Sequence, residues 1–213
     1  FRPARPFVVL ALATGLLAGC LGRTAPEPDR ALAVREAFLH AWRGYEQYAW
    51  GYDQLLPLSR RGHNWYPASL LMTPVDAFDT MLLMGLTDEA ARAEALVLAS
   101  LSFDRDFPVQ VFEVTIRLLG GLVTAYQMDG DPRFLALARD VADRMLPAFR
   151  SRTGMPYRFV NLRTGAVSGP VSNPAEIGTL MLEFGTLSKL TGDPRYYDAA
   201  KRAVVALFGT LRR

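Results

Sequence analysis

The sequence predicts an all-α domain built from paired helices, and three observations carry that reading. From Arg30 onward apolar residues recur at three- and four-residue spacing, while strand-like alternation is confined to one stretch. The segment from Leu118-Leu119 to Gly130-Asp131-Pro132-Arg133-Phe134 recurs as Leu180-Met181 to Gly192-Asp193-Pro194-Arg195-Tyr196 at a 62-residue offset, so one repeat is one helical hairpin. The first helix of each pair, Ile116 to Tyr126 or Ile177 to Leu190, is apolar nearly all round, whereas the second, such as Arg133 to Phe149, is amphipathic; this predicts an inner and an outer layer. Half of the residues are hydrophobic and 21% are charged, a globular composition in a chain of 213 residues, which is long enough for a sizeable core.

Taken from the N-terminus, residues 1–20 read as a signal peptide, because Arg2 and Arg5 precede an apolar run from Phe7 to Leu17 too short to span a bilayer. The run ends in Leu17-Ala18-Gly19-Cys20, similar to the lipobox of bacterial lipoproteins, in which cleavage leaves the Cys as a lipidated N-terminus. Cys20 is therefore the expected lipidation site. Its lipid would hold the protein to a membrane of the bacterial cell envelope, on the periplasmic or extracellular face; the alternative is an incidental free Cys beside an ordinary signal peptide. Cys20 is the only cysteine, so no intrachain disulfide is expected. Residues 21–29, with Pro26 and Pro28, read as a tether, and 30–213 as the domain.

Within that domain, helices are expected near 30–50, 74–85, 88–101, 111–128, 132–149, 174–190 and 194–211. The exception is Met155 to Ser168, where Tyr157, Phe159 and Val160 precede Arg163-Thr164-Gly165, a small hairpin between helical pairs. In both repeats the Gly should end the first helix, the Asp cap the second and the Pro occupy its first turn. Repeated hairpins of this kind fit an open solenoid or a closed α/α toroid, which sequence period alone does not separate. About three hairpins are too few to close a ring, so inner helices would expose apolar flanks unless other sequence covers them.

Three acids fall where inner helices begin: Asp76 in Thr73-Pro74-Val75-Asp76, Glu113 in Val111-Phe112-Glu113, and Glu176 in Asn173-Pro174-Ala175-Glu176. The same ends of inner helices open on the same face, so these carboxylates would line one mouth, which suits the hydroxyl recognition and proton transfer of sugar chemistry. Asp76 and Glu176 also have capping-box spacing from Thr73 and Asn173, and can be helix caps instead. Glu113 has no capping residue three positions before it; flanking by Phe112 and Ile116 suits a general acid, and an i,i+4 ion pair with Arg117 is the alternative. Trp42, Tyr45, Tyr48, Trp50 and Tyr52 could stack on sugar rings or pack as core. His40 and His63 lack metal-ligand spacing and read as structural. A net charge of +3, with no Lys/Arg run interleaved with aromatics, argues against a nucleic-acid partner, and no phosphate-binding Gly loop or nucleophile elbow is present.

The ordered motifs resemble glycoside hydrolase family 47, the class I α-1,2-mannosidases. Trp50-Gly51-Tyr52-Asp53-Gln54-Leu55-Leu56-Pro57-Leu58-Ser59 comes first, then Val75-Asp76-Ala77-Phe78-Asp79-Thr80-Met81, and then the most recognisable segment, Val111-Phe112-Glu113-Val114-Thr115-Ile116-Arg117-Leu118-Leu119-Gly120-Gly121-Leu122. Pro147-Ala148-Phe149, Gly154-Met155-Pro156-Tyr157 and Ala175-Glu176-Ile177-Gly178-Thr179 with Leu182-Glu183-Phe184 follow in family order, over roughly residues 37 to 205. The resemblance implies an (α/α)7 barrel, inverting hydrolysis of α-1,2-linked mannose in mannose-containing oligosaccharides, and a calcium ion at the barrel floor. It puts the proton donor on Glu113 and sugar-binding roles on Arg117, Asp53 and Glu176. Gln54 stands where the family has Glu. The resemblance reaches about the N-terminal half of the family's domain, so the base and the Thr expected at calcium have no counterpart here, and the fragment alone is expected to be inactive. The rival readings are a non-catalytic mannose-glycan recognition protein of the same fold and a helical-repeat interaction module.

Overall fold

A computed structural model describes residues 28–210. Cys20, the signal-like segment and most of the tether therefore lie outside the described residues. The described chain divides into two compact units with the boundary between Trp42 and Arg43. Helix α1 (Pro28–Ala49) starts two residues earlier than the sequence suggests, so the end of the tether is helical. In the first unit Phe38 and Trp42, one turn apart, stack with ring centroids 6.3 Å apart.

The second unit begins with the end of α1 and goes on to an element the sequence did not announce. Strands β1 (Gln54–Leu56) and β2 (Arg61–His63) pair antiparallel with Gln54 opposite His63. Three-residue strands leave no room for a readable alternation. Three helical hairpins follow. The first is α2 (Met72–Leu83) with α3 (Thr87–Ser100). The second begins after β3 (Pro108–Gln110) and runs through α4 (Val111–Val114), a π-helical turn (Thr115–Leu119) and α5 (Gly120–Asp129), returning as α6 (Pro132–Met145). After β4 (Phe159–Asn161) and β5 (Val167–Ser168), the third comprises α7 (Pro174–Gly178), α8 (Met181–Thr191) and α9 (Pro194–Thr210). The expected hairpin is β4–β5, and β3 pairs with β4 to make a three-stranded sheet, with Gln110 opposite Phe159.

The two layers form as the apolar pattern requires. Helices α2, α5 and α8 pack side by side, and α3, α6 and α9 each pack on the preceding inner helix. On α6 the buried residues Phe134, Ala138, Val141, Ala142 and Met145 fall at three- and four-residue spacing, one face turned inward. Aromatic contacts cross between the layers: Phe78 meets Phe134 at 5.2 Å, and Phe184 meets Phe149 at 5.2 Å and Tyr196 at 6.5 Å. Each such side chain, fully buried, contributes about 1.5–3 kcal/mol. Both repeat turns have the expected chemistry. Gly130 (φ 89) and Gly192 (φ 72) end the inner helices in the left-handed region, and Asp131 and Asp193 accept from the backbone N–H of Arg133 (2.8 Å) and Arg195 (3.0 Å).

Three helices depart from their expected spans, each for a local reason. The stretch 132–149 changes at Leu146 to a 3-10 turn (Leu146–Phe149), because Pro147 has no N–H to continue the α ladder. The stretch 174–190 breaks at Thr179, whose hydroxyl donates to the Ala175 carbonyl (2.7 Å) that its own N–H also uses (3.2 Å). The stretch 111–128 carries the π turn. There the buried Thr115 hydroxyl donates to the Val111 carbonyl at 2.7 Å, and Gly121 lies so close to α2 that a Cβ would stand 2.8 Å from Val75 Cγ1 and 2.9 Å from the Val75 carbonyl oxygen.

Candidate functional site

Arg117 is the hub of the site. It sits on the π turn between α4 and α5. Its Nε donates to Glu113 Oε2 and its Nη1 to Asp76 Oδ2, both at 2.9 Å. The i,i+4 ion pair with Arg117, given by the sequence as the alternative to a general acid at Glu113, forms, and Arg117 extends it across to α2. Partial burial would lower the Arg117 pKa, but the bonds to Asp76 and Glu113 outweigh burial and raise it, so the guanidinium stays charged. The indole of Trp65 lies under the guanidinium, ring centroid 5.1 Å from Cζ. Asp76 is not a capping-box acid: α2 starts from Leu71 in the left-handed region with no side-chain cap, and the Thr73 hydroxyl donates to the Asp53 carbonyl (2.7 Å) instead.

Glu176 anchors a second cluster. Its Oε1 accepts from Gln110 Nε2 and Arg158 Nη2, each at 3.0 Å, and its Oε2 from the Ser172 hydroxyl at 2.9 Å. Asn173 does cap α7, accepting from the Glu176 N–H at 3.0 Å, so here the cap and the side-chain network coexist. Gln110 joins the two clusters. Its side chain reaches Glu176, it immediately precedes the helix carrying Glu113, and its backbone N–H donates to the Tyr66 hydroxyl (3.2 Å). Tyr66 stacks on Phe107 at 5.7 Å. Burial raises the Tyr66 pKa, with the charges of Glu113 and Asp53 adding to it, so its hydroxyl keeps its proton at neutral pH.

Asp53, on which the resemblance puts a sugar-binding role, is 1% exposed and its carboxylate organises a loop. Oδ1 accepts from the Leu70 N–H (2.7 Å), the Met72 N–H (3.2 Å) and the Ser69 hydroxyl (3.2 Å), and Oδ2 from the Trp65 N–H (3.0 Å). Both oxygens accept from protein donors. Of the aromatic run, Trp42 and Tyr45 are buried while Trp50 and Tyr52 are exposed, so it is not a single stacking platform. Sequence reasoning missed Trp65, Tyr66, Gln110 and Arg158, whose roles arise from contacts 41 or more residues away in three of the four cases and carry no local spacing signal. The one available hint was an aromatic pair, Trp65-Tyr66, in a turn-rich segment between helices.

Two clefts flank the clusters. One of about 330 Å³ is lined by Asp76, Gly120, Gly121, Gln127 and Glu183, and one of about 450 Å³ by Tyr157, Pro170, Val171, Ser172 and Ile177. Each touches one cluster, through Asp76 or Ser172. Among the described residues the group of carboxylates close enough to share a metal ion is Glu94, Asp129 and Asp131, at a hairpin turn. It does not fit a resident calcium: the Arg133 guanidinium already pairs with Asp131 (Nε to Oδ2, 2.9 Å) and approaches Glu94 at 3.9 Å, supplying the positive charge itself.

The Glycosyl hydrolase family 47 model matches residues 37–211. Mannosyl-oligosaccharide 1,2-alpha-mannosidase MNS1 of Arabidopsis thaliana is 42% identical over 87% of this chain and 35% of its own length. The endoplasmic reticulum mannosyl-oligosaccharide 1,2-alpha-mannosidase of Homo sapiens is 42% identical over 84% of this chain and 26% of its own. Among solved structures, the alpha-1,2-mannosidase from Trichoderma reesei superposes with a TM-score of 0.78 at 30% identity, covering 84% of this chain and 40% of that one. The chain thus spans between about a quarter and about a third of the length of the curated relatives it matches.

Proposed function

Because the chain belongs to glycosyl hydrolase family 47, we propose that the protein it forms part of hydrolyses terminal α-1,2-linked mannose from mannose-containing oligosaccharides with inversion, Glu113 giving its proton to the leaving oxygen. The observation that carries this reading is the meeting of Glu113 and Asp76 on one guanidinium, beside an exposed indole, within the residues that the family matches. Carboxylates accept hydroxyl hydrogen bonds and a guanidinium donates them. Glu176 and Arg158 add acceptors and donors beside it. Inversion needs a second carboxylate about 6.5–9.5 Å from the acid with a water between them. None of the described acids is assigned that role: Asp76 is held by Arg117, and Glu176 by Gln110, Arg158 and Ser172.

Calcium enters only through the family. Residues other than those described would hold it, and no step above runs through it. For localisation, the Leu-Ala-Gly-Cys20 pattern supports a lipid anchor at a bacterial cell envelope. Among the described residues no helix is long and apolar enough to cross a membrane. Metabolic labelling with a fatty acid should mark the protein and lose the mark in Cys20→Ala; equal labelling of both ends the anchor proposal.

The stereochemistry tests the reaction. The whole protein acting on α-1,2-mannobiose, followed by proton NMR in its first minutes, should release mannose as the β-anomer. Initial release of the α-anomer would exclude inversion, and tight binding without release would favour the non-catalytic mannose-recognition reading.

A further inference from the structure

Trp65 stands in the loop between β2 and α2, 37% exposed, and it is held from several sides. Its backbone N–H donates to Asp53 Oδ2 (3.0 Å) and its indole Nε1–H to Gln54 Oε1 (2.8 Å). Gln54 is itself fixed by pairing with His63 across the β1–β2 ladder, with its Nε2 3.4 Å from His63 Nδ1. An amide can accept from the indole and donate to the imidazole at once, whereas a carboxylate in its place could only accept. The ring so fixed carries the Arg117 guanidinium on its face at 5.1 Å.

Arg117 has a long, rotamer-rich stem and two carboxylate partners on different helices. Left to those two alone, it can satisfy one and swing from the other; an aromatic face below the guanidinium plane removes that freedom. We propose that Trp65 is a positioning residue: its indole fixes the Arg117 guanidinium so that Nε meets Glu113 and Nη1 meets Asp76 together, and Asp53 and Gln54 act through Trp65. This deepens the mannosidase reading, and its kinetic consequence rests on Glu113 being the acid, but its geometric content does not.

The test uses the whole protein with Trp65→Leu, which removes the aromatic face, and Trp65→Phe, which keeps a face and loses the indole N–H. With arginine labelled with nitrogen-15, the Arg117 Nε–H resonance, assigned by its loss in Arg117→Lys, should be ring-current shifted and slow to exchange in the wild type. It should stay so in Trp65→Phe, and in Trp65→Leu should move to the free-arginine region and exchange at least about tenfold faster. On α-1,2-mannobiose, Trp65→Leu should lower kcat by about 2- to 30-fold, the span of cation–π strengths, with KM within about twofold, and Trp65→Phe should recover most of the loss. An unmoved Arg117 resonance in Trp65→Leu overturns the proposal, as does a loss confined to KM, which would make Trp65 a sugar contact. If the wild type does not hydrolyse the substrate but the resonance behaves as described, the mannosidase reading fails and the positioning role stands.

Discussion

Arg117 and Asp53 show how differently two charged side chains can serve one site. Arg117 is a third exposed and links two helices, so its ion pairs add little stability on their own and matter mainly for geometry. Asp53 is buried and accepts from three backbone N–H groups and one hydroxyl. Asp53→Ala leaves those amides without partners and should destabilise the protein by about 2–5 kcal/mol in denaturant unfolding; a loss under about 1 kcal/mol would mean the loop is held by other contacts. The pairing of Glu113 with Arg117 was legible in the sequence, because i,i+4 spacing on a helix is a local rule. That Asp76 lies with Glu113 was one of two readings, the other being a cap from Thr73; that Arg117, 41 residues away, would hold it was not legible. The bonds of Asp53 were not legible for a related reason: a motif identifies an important acid without saying which protein donors its oxygens meet.

At the scale of elements, the 62-residue repeat specified turn chemistry that the structure repeats twice, because Gly, Asp and Pro each impose one backbone requirement locally. The π turn had no such signature. It lies between Thr115, whose hydroxyl competes for a helix carbonyl, and Gly120-Gly121, where α5 meets α2 nearly backbone to backbone. Gly121→Ala would put a methyl group against Val75 Cγ1 and its carbonyl, so the helices must part or the turn must shift. A stability loss of about 1–3 kcal/mol is expected by thermal or urea unfolding, and it should be accompanied by reduced activity because the same shift moves Arg117. An unchanged unfolding midpoint would show that the α2–α5 contact has slack. The strands β1, β2 and β3 escaped the sequence reading because runs of three residues cannot display a period.

At the scale of the molecule, the inner layer of the second unit exposes Leu83 on α2 and Leu182 on α8, at 77% and 74%, as the toroid reading required of three hairpins that do not close a ring. Beside Leu182, Glu183 is partly buried against Gly120, and its Oε2 is enclosed with no hydrogen-bond partner among the described residues. Burial raises its pKa above the ordinary 4.5, so the fold favours the neutral acid. Below that value both folded and unfolded chains are protonated and the group costs nothing; as pH climbs, the unfolded chain ionises first and stability falls until the folded carboxyl ionises too. Glu183→Gln should therefore raise the melting temperature at pH 7, with the gain fading as pH drops below about 4.5; a gain equal at both pH values would assign it to packing. The fold class and the layers were legible because periodicity and repeats are properties of the chain, whereas the network around Arg117 exists only once distant loops meet. The central claim, that this network serves proton donation by Glu113, is tested most directly by Glu113→Gln in the whole protein. The amide keeps the shape and the contact to a sugar oxygen but cannot donate a proton at neutral pH, so turnover of α-1,2-mannobiose should fall by about 10²–10⁴-fold while binding persists. Turnover near the wild-type rate would contradict the account and leave Glu113 as no more than a partner of Arg117.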